Sequence, residues 1–343
     1  MAHAPATVNA PPARMLGRPR RRFVATMALA GAALSALAVL SLMLGAVTLA
    51  PRSVLGAVIE GGDGYAARVV WDFRLPRVLD AMLVGAALAT AGALLQAITR
   101  NPLADPTILG VSAAAGLANA LALVFAPQLP QWALTLAAVG GGLFGAGLIF
   151  VIAWQGVVSP LRLTLAGVAL SAFFGAAIVA LLSSSRTFLQ LSLGFLAGGL
   201  YGSGWAELQA TLPWFVPAFA LALLAANRLN VLSLGDEVAA GLGVAPTSTR
   251  LVVLAATGVL TGIAVAVAGL VSFVGLVCPH LARPVVGQDW RRLLPASALA
   301  GALLVGGADL VARLVLRPAE LPAGIVTAAI GAPFLLYLLR VHR

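Results

Sequence analysis

"RLPRVLDAMLVGAALATAGALLQAITRNPLADPTILG", residues 74–110, holds the pattern that decides the fold. Its middle, 78–99, is a run of Leu, Ala, Val and Gly in which Asp80 is the one charge. A hydrocarbon core about 30 Å thick needs roughly 20 such residues in a helix, which is the length of this run. Arg100, Asn101, Pro102, Asp105 and Pro106 then crowd into one short stretch. Proline lacks an N–H and disfavours helix at the residue before it, so Pro102 and Pro106 force a compact turn. The apolar pattern resumes at Ile108.

The same alternation continues through the chain. Apolar blocks fall at 24–50, 78–99, 108–125, 132–154, 163–182, 212–226, 251–270, 271–286, 293–316 and 325–339. The seventh and eighth are contiguous and too long for one crossing, so a tight turn near 269–272 is expected to divide them. A weaker apolar stretch at 189–200 reads as a short re-entrant or surface helix. With 61% hydrophobic and 9% charged residues and a mean hydropathy of +1.03, the chain lies far outside globular composition, where roughly 25% of residues are charged. Long unbroken apolar runs span lipid as helices, so the expected fold is an all-α integral membrane protein of about ten spans.

Composition also excludes chemistry. The 21 basic residues are all arginine, and without lysine neither a phosphate-binding P-loop nor a Schiff base is available. Three histidines and one cysteine supply no converging ligand set for zinc, haem or an iron–sulfur cluster, so no metal site and no cofactor are expected. The net charge of +10 is spread between apolar blocks, with one cluster at Arg18, Arg20, Arg21 and Arg22, which reads as a positive-inside signal rather than a nucleic-acid surface. Residues 1–23 are expected to form a disordered basic cytoplasmic tail, and 24–50 a retained first helix rather than a cleaved signal. With the amino terminus inside, Arg100, Arg162, Arg228, Arg250, Arg283, Arg291, Arg292, Arg340 and Arg343 join the tail arginines on the cytoplasmic face. Arg52, Arg68, Arg74, Arg77, Arg186, Arg313 and Arg317 fall outside. This bias predicts an even number of spans and both termini in the cytoplasm.

One shift in register carries Gly85, Ala87, Ala89, Ala91, Gly92, Pro102 and Gly110 onto Gly262, Ala264, Ala266, Ala268, Gly269, Pro279 and Gly287. The second and seventh spans run in opposite directions, so this faint repeat is of the inverted kind found in transporters. The 37 glycines suit close helix packing in lipid, where small residues let backbones approach.

Four polar segments interrupt the apolar pattern. "WDFRLPR", residues 71–77, places Arg74 and Arg77 at the outer face, where Arg313 also emerges. They form either a basic platform for carboxylates of a soluble partner or interfacial arginines that snorkel and pair with Asp72, Asp80 and Asp309. "LSLGDEVAAGLGV", residues 232–244, reads as a short helix with acids at its positive end and Gly241 or Gly243 to stop it. It is either an amphipathic connector or a knob, through Val238, Ala239 and Leu242, for a cytoplasmic partner. "FVGLVCPHLAR", residues 273–283, carries Pro279 as a kink that shapes a helix start, with His280 unsupported as a metal ligand. In "DLVARLVLRPAELPAG", residues 309–324, Asp309 and Arg313 are four apart and predict a structural ion pair, and Glu320 precedes the last span.

Read together, 74–116, 232–244, 269–295 and 319–339 resemble the FecCD-type permeases of ABC importers for iron–siderophore complexes, haem and vitamin B12, over essentially everything from Trp71 onward. The resemblance implies a type II ABC importer permease domain over 24–343. It also implies a second permease copy in a homodimer or related heterodimer, cytoplasmic ABC ATPases that carry the ATP and magnesium, and a periplasmic or lipid-anchored binding protein. It places binding-protein docking at Arg74, Arg77 and Arg313. It places ATPase coupling in 228–250, through Leu234, Gly235, Asp236, Glu237, Ala239, Leu242 and Gly243. It makes 163–182 the helix that lines the translocation path, with Leu163, Gly167, Leu170, Ser171 and Phe174 on it, below a gate at 159–162. Pro160 and Leu161 depart from the small hydroxyl residues of the B12 permease gate, so gate chemistry does not carry over. Asp80 stands where an apolar residue is expected, with Arg77 as its nearest partner by spacing. The cargo expected from the resemblance is a ferric siderophore, ahead of haem and cobalamin. An ion-driven secondary transporter would need mid-helix acids that this chain lacks, and an intramembrane enzyme a polar cluster that it also lacks.

Overall fold

The computed structural model describes residues 18–45, 47–62, 64–183, 194–317 and 319–341. Residues 1–17 of the tail, Arg186 and the first part of the 189–200 stretch therefore lie outside the described residues, while the basic cluster from Arg18 to Arg22, expected in a disordered tail, forms the first turns of α1. The chain is a helical bundle, with α1 over Arg18–Met43, α2 over Pro51–Glu60 and a continuous α3 over Tyr65–Thr99. Next come α4 (Val111–Phe125), α5 (Gln131–Ala153) and α6 (Pro160–Ser183). They are followed by α7 (Trp205–Leu232), the short α8 (Asp236–Gly241), α9 (Pro246–Ala268), α10 (Val274–Val286), α11 (Trp290–Val315) and α12 (Ala323–Val341). A two-residue hairpin, β1 (Trp154–Gln155) on β2 (Val157–Val158), joins α5 to α6.

Among the described residues, seven helices are long and apolar enough to cross a membrane, and three shorter apolar helices accompany them. Each falls on one of the apolar blocks, so the span pattern read from sequence holds. The boundaries move where polar residues are tolerated. Span α7 runs 28 residues straight through Pro213 and Pro217, because neighbouring helices can satisfy the backbone groups a proline frees. Span α3 starts well before Pro76, with a π-helical turn at Val69–Arg74 that lets the helix pass the proline. The turn inside 251–286 is present: Gly269 ends α9 at φ 65° and Phe273 starts α10 at φ 69°.

The packing is that of an inverted repeat. Helices α3 and α9 lie side by side at the centre; α3 packs chiefly on α11, and α9 chiefly on α5. Exchanging α3–α6 for α9–α12 carries each of these contacts onto the other. Backbone contact at the two crossings is made by glycine: a Cβ on Gly85 would stand 2.1 Å from the Gly301 carbonyl oxygen, and one on Gly142 2.3 Å from that of Gly258. Gly258 is therefore the counterpart of Gly85, one helical turn before the Gly262 expected from the linear register. Beyond the first helix that register fails altogether, since Pro279 and Gly287 fall inside and after α10 rather than before it. The intervening loops differ in length, and a constant shift cannot follow them.

Candidate functional site

The opening turn explains the first part of the site. Helix α3 stops at Thr99, and Arg100 takes the left-handed conformation at φ 49°, a strained choice for a side chain with a Cβ. The Asn101 side chain accepts from Leu103 N–H at 2.9 Å, and Asp105 accepts from Thr107 N–H at 2.8 Å. Buried Asp105 also sits at the N-terminus of α10, where the N–H groups of Gly275 and Leu276 reach its carboxylate. A helix N-terminus is the site where a buried acid is best tolerated. Asp105 thus ties the loop of one repeat to the first turn of the other, a contact that no spacing in the sequence announced.

Arg100 reaches in the other direction. Its guanidinium donates to the Leu232 carbonyl at 3.0 Å and to Asp236 at 2.5 Å. Arg250, wholly buried, grips the same carboxylate with two contacts of 2.9 Å and donates to the Val158 carbonyl at 2.8 Å. Asp236 is thereby the knot that joins α8, the end of α3, the start of α9 and the β1–β2 hairpin. Burial works to raise the pKa of this acid, but the hydrogen bonds and charges of Arg250 and Arg100 outweigh it and hold the carboxylate below its usual range. Beyond this knot α8 projects an apolar tip: Leu234, Val238 and Leu242 are all exposed. Of the coupling residues expected, Leu234, Glu237, Leu242 and Gly243 lie on the exposed side, with Gly235 partly exposed. Asp236 is engaged inward, and Ala239 is fully buried against the bundle. The surface tip is Val238, which is in helical register with Leu234 and Leu242.

At the opposite end of the bundle the three arginines expected to form a platform are tied up internally. Arg74, 7% exposed, donates to the Leu42 and Met43 carbonyls at 2.7 and 3.0 Å and also to Val47, which closes the C-terminal end of α1. Arg77 grips Asp309 at 2.9 Å and Glu320 at 2.9 Å. Arg313, 4% exposed, pairs with Asp309 at 3.0 Å and donates to the Ser41 hydroxyl at 3.0 Å. The expected Asp309–Arg313 pair is present, while the Arg77–Asp80 pair is replaced: both Asp80 oxygens are buried without a hydrogen-bond partner. An exposed platform of Arg74, Arg77 and Arg313 is thus not what this conformation presents. Among the described residues, the exposed arginines on this face are Arg52, Arg68 and Arg317. Sequence reasoning had placed them on this face without giving them a role, because spacing reports neighbours along a helix and not the acids that α11 and the 316–322 loop bring to Arg77.

On helix α6 most of the residues named for the path are likewise engaged within the chain. Leu163, Gly167, Ser171 and Phe174 turn inward: Ser171 donates to the Thr107 carbonyl at 2.9 Å, and a Cβ on Gly167 would meet Leu109 at 2.9 Å. Leu170 is half-buried against the core. The outward stripe is Leu161, Leu165, Val168, Phe173 and Val179, between 48% and 67% exposed. In a helix that is apolar all round, periodicity defines faces but carries no polar label to say which is inward.

Among the described residues no cluster of His, Cys, Asp or Glu suited to a metal ion occurs, and Cys278 is buried.

Residues 28–341 match the FecCD transport family. The chain is 43% identical, over 92% of its length and 96% of the relative's, to the Fe(3+) dicitrate transport system permease protein FecD of Escherichia coli (strain K12). It is 36% identical, over 94% and 97% of the two chains, to the Fe(3+)-citrate import system permease protein YfmE of Bacillus subtilis (strain 168). Among solved structures, an inward-facing putative metal-chelate type ABC transporter superposes with a TM-score of 0.81 at 33% identity, covering 94% of this chain and 99% of that one.

Proposed function

Because this chain belongs to the FecCD transport family, we propose that it is the multi-pass permease of an importer that moves a ferric chelate, a siderophore or ferric carboxylate, across the bacterial cytoplasmic membrane. It performs no chemistry of its own. ATP hydrolysis belongs to separate cytoplasmic subunits, and capture of the chelate to a binding protein on the outer face. Both termini face the cytoplasm, residues 24–343 form one permease domain, and 228–250 is its coupling segment.

The observation that carries the mechanism is the Asp236 knot. An ATPase that grips the exposed Leu234, Val238 and Leu242 tip moves a helix held by Arg250 to the hairpin at Val158 and by Arg100 to the end of α3. Displacement of α8 is thus handed directly to the hairpin before α6 and to the turn before α4. A second permease copy would face the outward stripe of α6, so the path runs between two such helices. ATP binding to the ATPase shifts the balance between the two openings only if the ATPase contacts α8 differently in each. The basic surface offered to the binding protein is Arg52, Arg68 and Arg317, with the buried Arg74, Arg77 and Arg313 holding the surrounding segments in place.

The test is uptake into vesicles by the chain reconstituted with its ATPase and binding protein. Radiolabelled ferric citrate and ferric hydroxamate should enter only with ATP inside, and faster than haem or cobalamin. Uptake of cobalamin or haem in preference to every ferric chelate would overturn the cargo, and uptake driven by an ion gradient without ATP would overturn the mechanism.

A further inference from the structure

The chain breaks twice to begin short helices, α4 after Gly110 and α10 after Phe273. A cavity of about 390 Å³ lies beside both starts, with Thr107, Ser112, Ser171 and Ser272 sharing its wall with apolar Ile178 and Leu270. Two of the hydroxyls have internal partners: Ser171 donates to the Thr107 carbonyl and Thr107 to Asp105. Ser112 is different. Its side chain is 2% exposed, and its Oγ finds no partner within the bundle.

Thr135, Ser203, Thr261 and Ser297 also keep buried hydroxyls without a partner, but of these groups Ser112 alone lines this cavity, where a ligand could complete it. Ser112 is the second residue of a 15-residue helix, so it stands at the positive end of the aligned peptide dipoles, where anionic oxygens are favoured. No acidic side chain lines the cavity; the buried Asp105 lies behind Thr107, whose N–H and hydroxyl both donate to its carboxylate. Val179 belongs both to this wall and to the exposed stripe of α6, so the cavity opens on the side assigned to the path. Its volume is at the small end of the range for ligand sites, roughly 300–1,000 Å³, which suits a compact chelate or one carboxylate arm.

We propose that this cavity is a subsite for a carboxylate oxygen of an anionic ferric chelate in transit, with the Ser112 hydroxyl as its hydrogen-bond donor. The proposal rests on the iron-chelate reading above and adds that the path is not chemically neutral. It favours carboxylate-bearing chelates over uncharged ones.

Two measurements test it: binding of radiolabelled ferric citrate, and of an uncharged ferric trihydroxamate, to the full-length permease in nanodiscs, and ATP-driven uptake of both by the complete importer. Losing one charge-assisted hydrogen bond should weaken ferric citrate binding by Ser112→Ala about five- to tenfold. Ser112→Thr should retain most of the affinity, and the trihydroxamate should change less than about twofold by the same reasoning. Thermal melting of Ser112→Ala should match that of the parent, since the lost hydroxyl has no internal partner. Equal ferric citrate affinity in Ser112→Ala and the parent, or equal weakening of both chelates, overturns the subsite. If the parent importer takes up ferric citrate and Ser112→Ala does so unchanged, the subsite alone fails. If the parent takes up no ferric chelate, the underlying cargo reading fails and the subsite with it.

Discussion

Replacing Asp236 by Asn tests the knot at the base of α8. The change conserves volume but strips the charge from a carboxylate that holds Arg250 through two contacts of 2.9 Å and also pairs with Arg100. Arg250 has no exposed surface and would keep only the Val158 carbonyl as a full acceptor. Breaking a buried pair from one side costs about 3–5 kcal/mol, whereas an exposed pair contributes under about 1 kcal/mol. The Asp236 side chain is 29% exposed, so water screens part of the interaction, and about 2–3 kcal/mol is expected. That corresponds to a shift on the order of 30- to 150-fold in the balance between docked and undocked α8. Hydrogen exchange should therefore quicken at residues 236–244, and ATP hydrolysis by the complex should become less dependent on loaded binding protein. The double variant Asp236→Asn with Arg250→Met leaves no unpaired buried charge, so it should regain much of the local protection without regaining coupling. Unchanged exchange and unchanged coupling in Asp236→Asn would refute the knot.

Three further outcomes are expected. Because the folded pKa of Asp236 is depressed, its contribution is present above the unfolded value and is lost only as pH falls through the lower folded value; coupling measured by stimulated ATPase should therefore persist at pH 5, and loss there would contradict the pairing. Gly301→Ala puts a Cβ 2.1 Å from the Gly85 carbonyl oxygen, so α3 and α11 must separate, at a cost of about 1–3 kcal/mol seen as a lower melting temperature in detergent; Gly140→Ala, with open space around it, should melt at or slightly above the parent temperature. Reversing Arg52, Arg68 and Arg317 to Glu should weaken binding-protein affinity in a salt-dependent manner without changing the melting temperature, whereas Arg74→Ala should lower the melting temperature by removing the donor to three α1-end carbonyls; the opposite pairing of effects would restore the buried arginines as the docking surface.

The positions of the spans were legible along the chain, because a bilayer demands about 20 apolar residues per crossing and punishes polar ones wherever they fall. The turn at 100–110, the break between α9 and α10 and the Asp309–Arg313 pair were legible for the same kind of reason: proline, glycine and helical spacing act locally. The family resemblance rests on those same strings. What tertiary structure decided were the partners that come from far along the chain. Arg77 sits 232 residues from Asp309 and 243 from Glu320, and Arg100 sits 136 from Asp236, so spacing offered nearer but wrong partners such as Asp80. The choice of face on α6 was likewise invisible, since every side of that helix is apolar and only the packing of α4 and α5 against it fixes which side is inside. The inverted repeat lies between these cases. Its small residues are written in the sequence, but its register became clear only when Gly85 met Gly301 and Gly142 met Gly258, because loops of unequal length displace the two halves along the chain while leaving their packing in place.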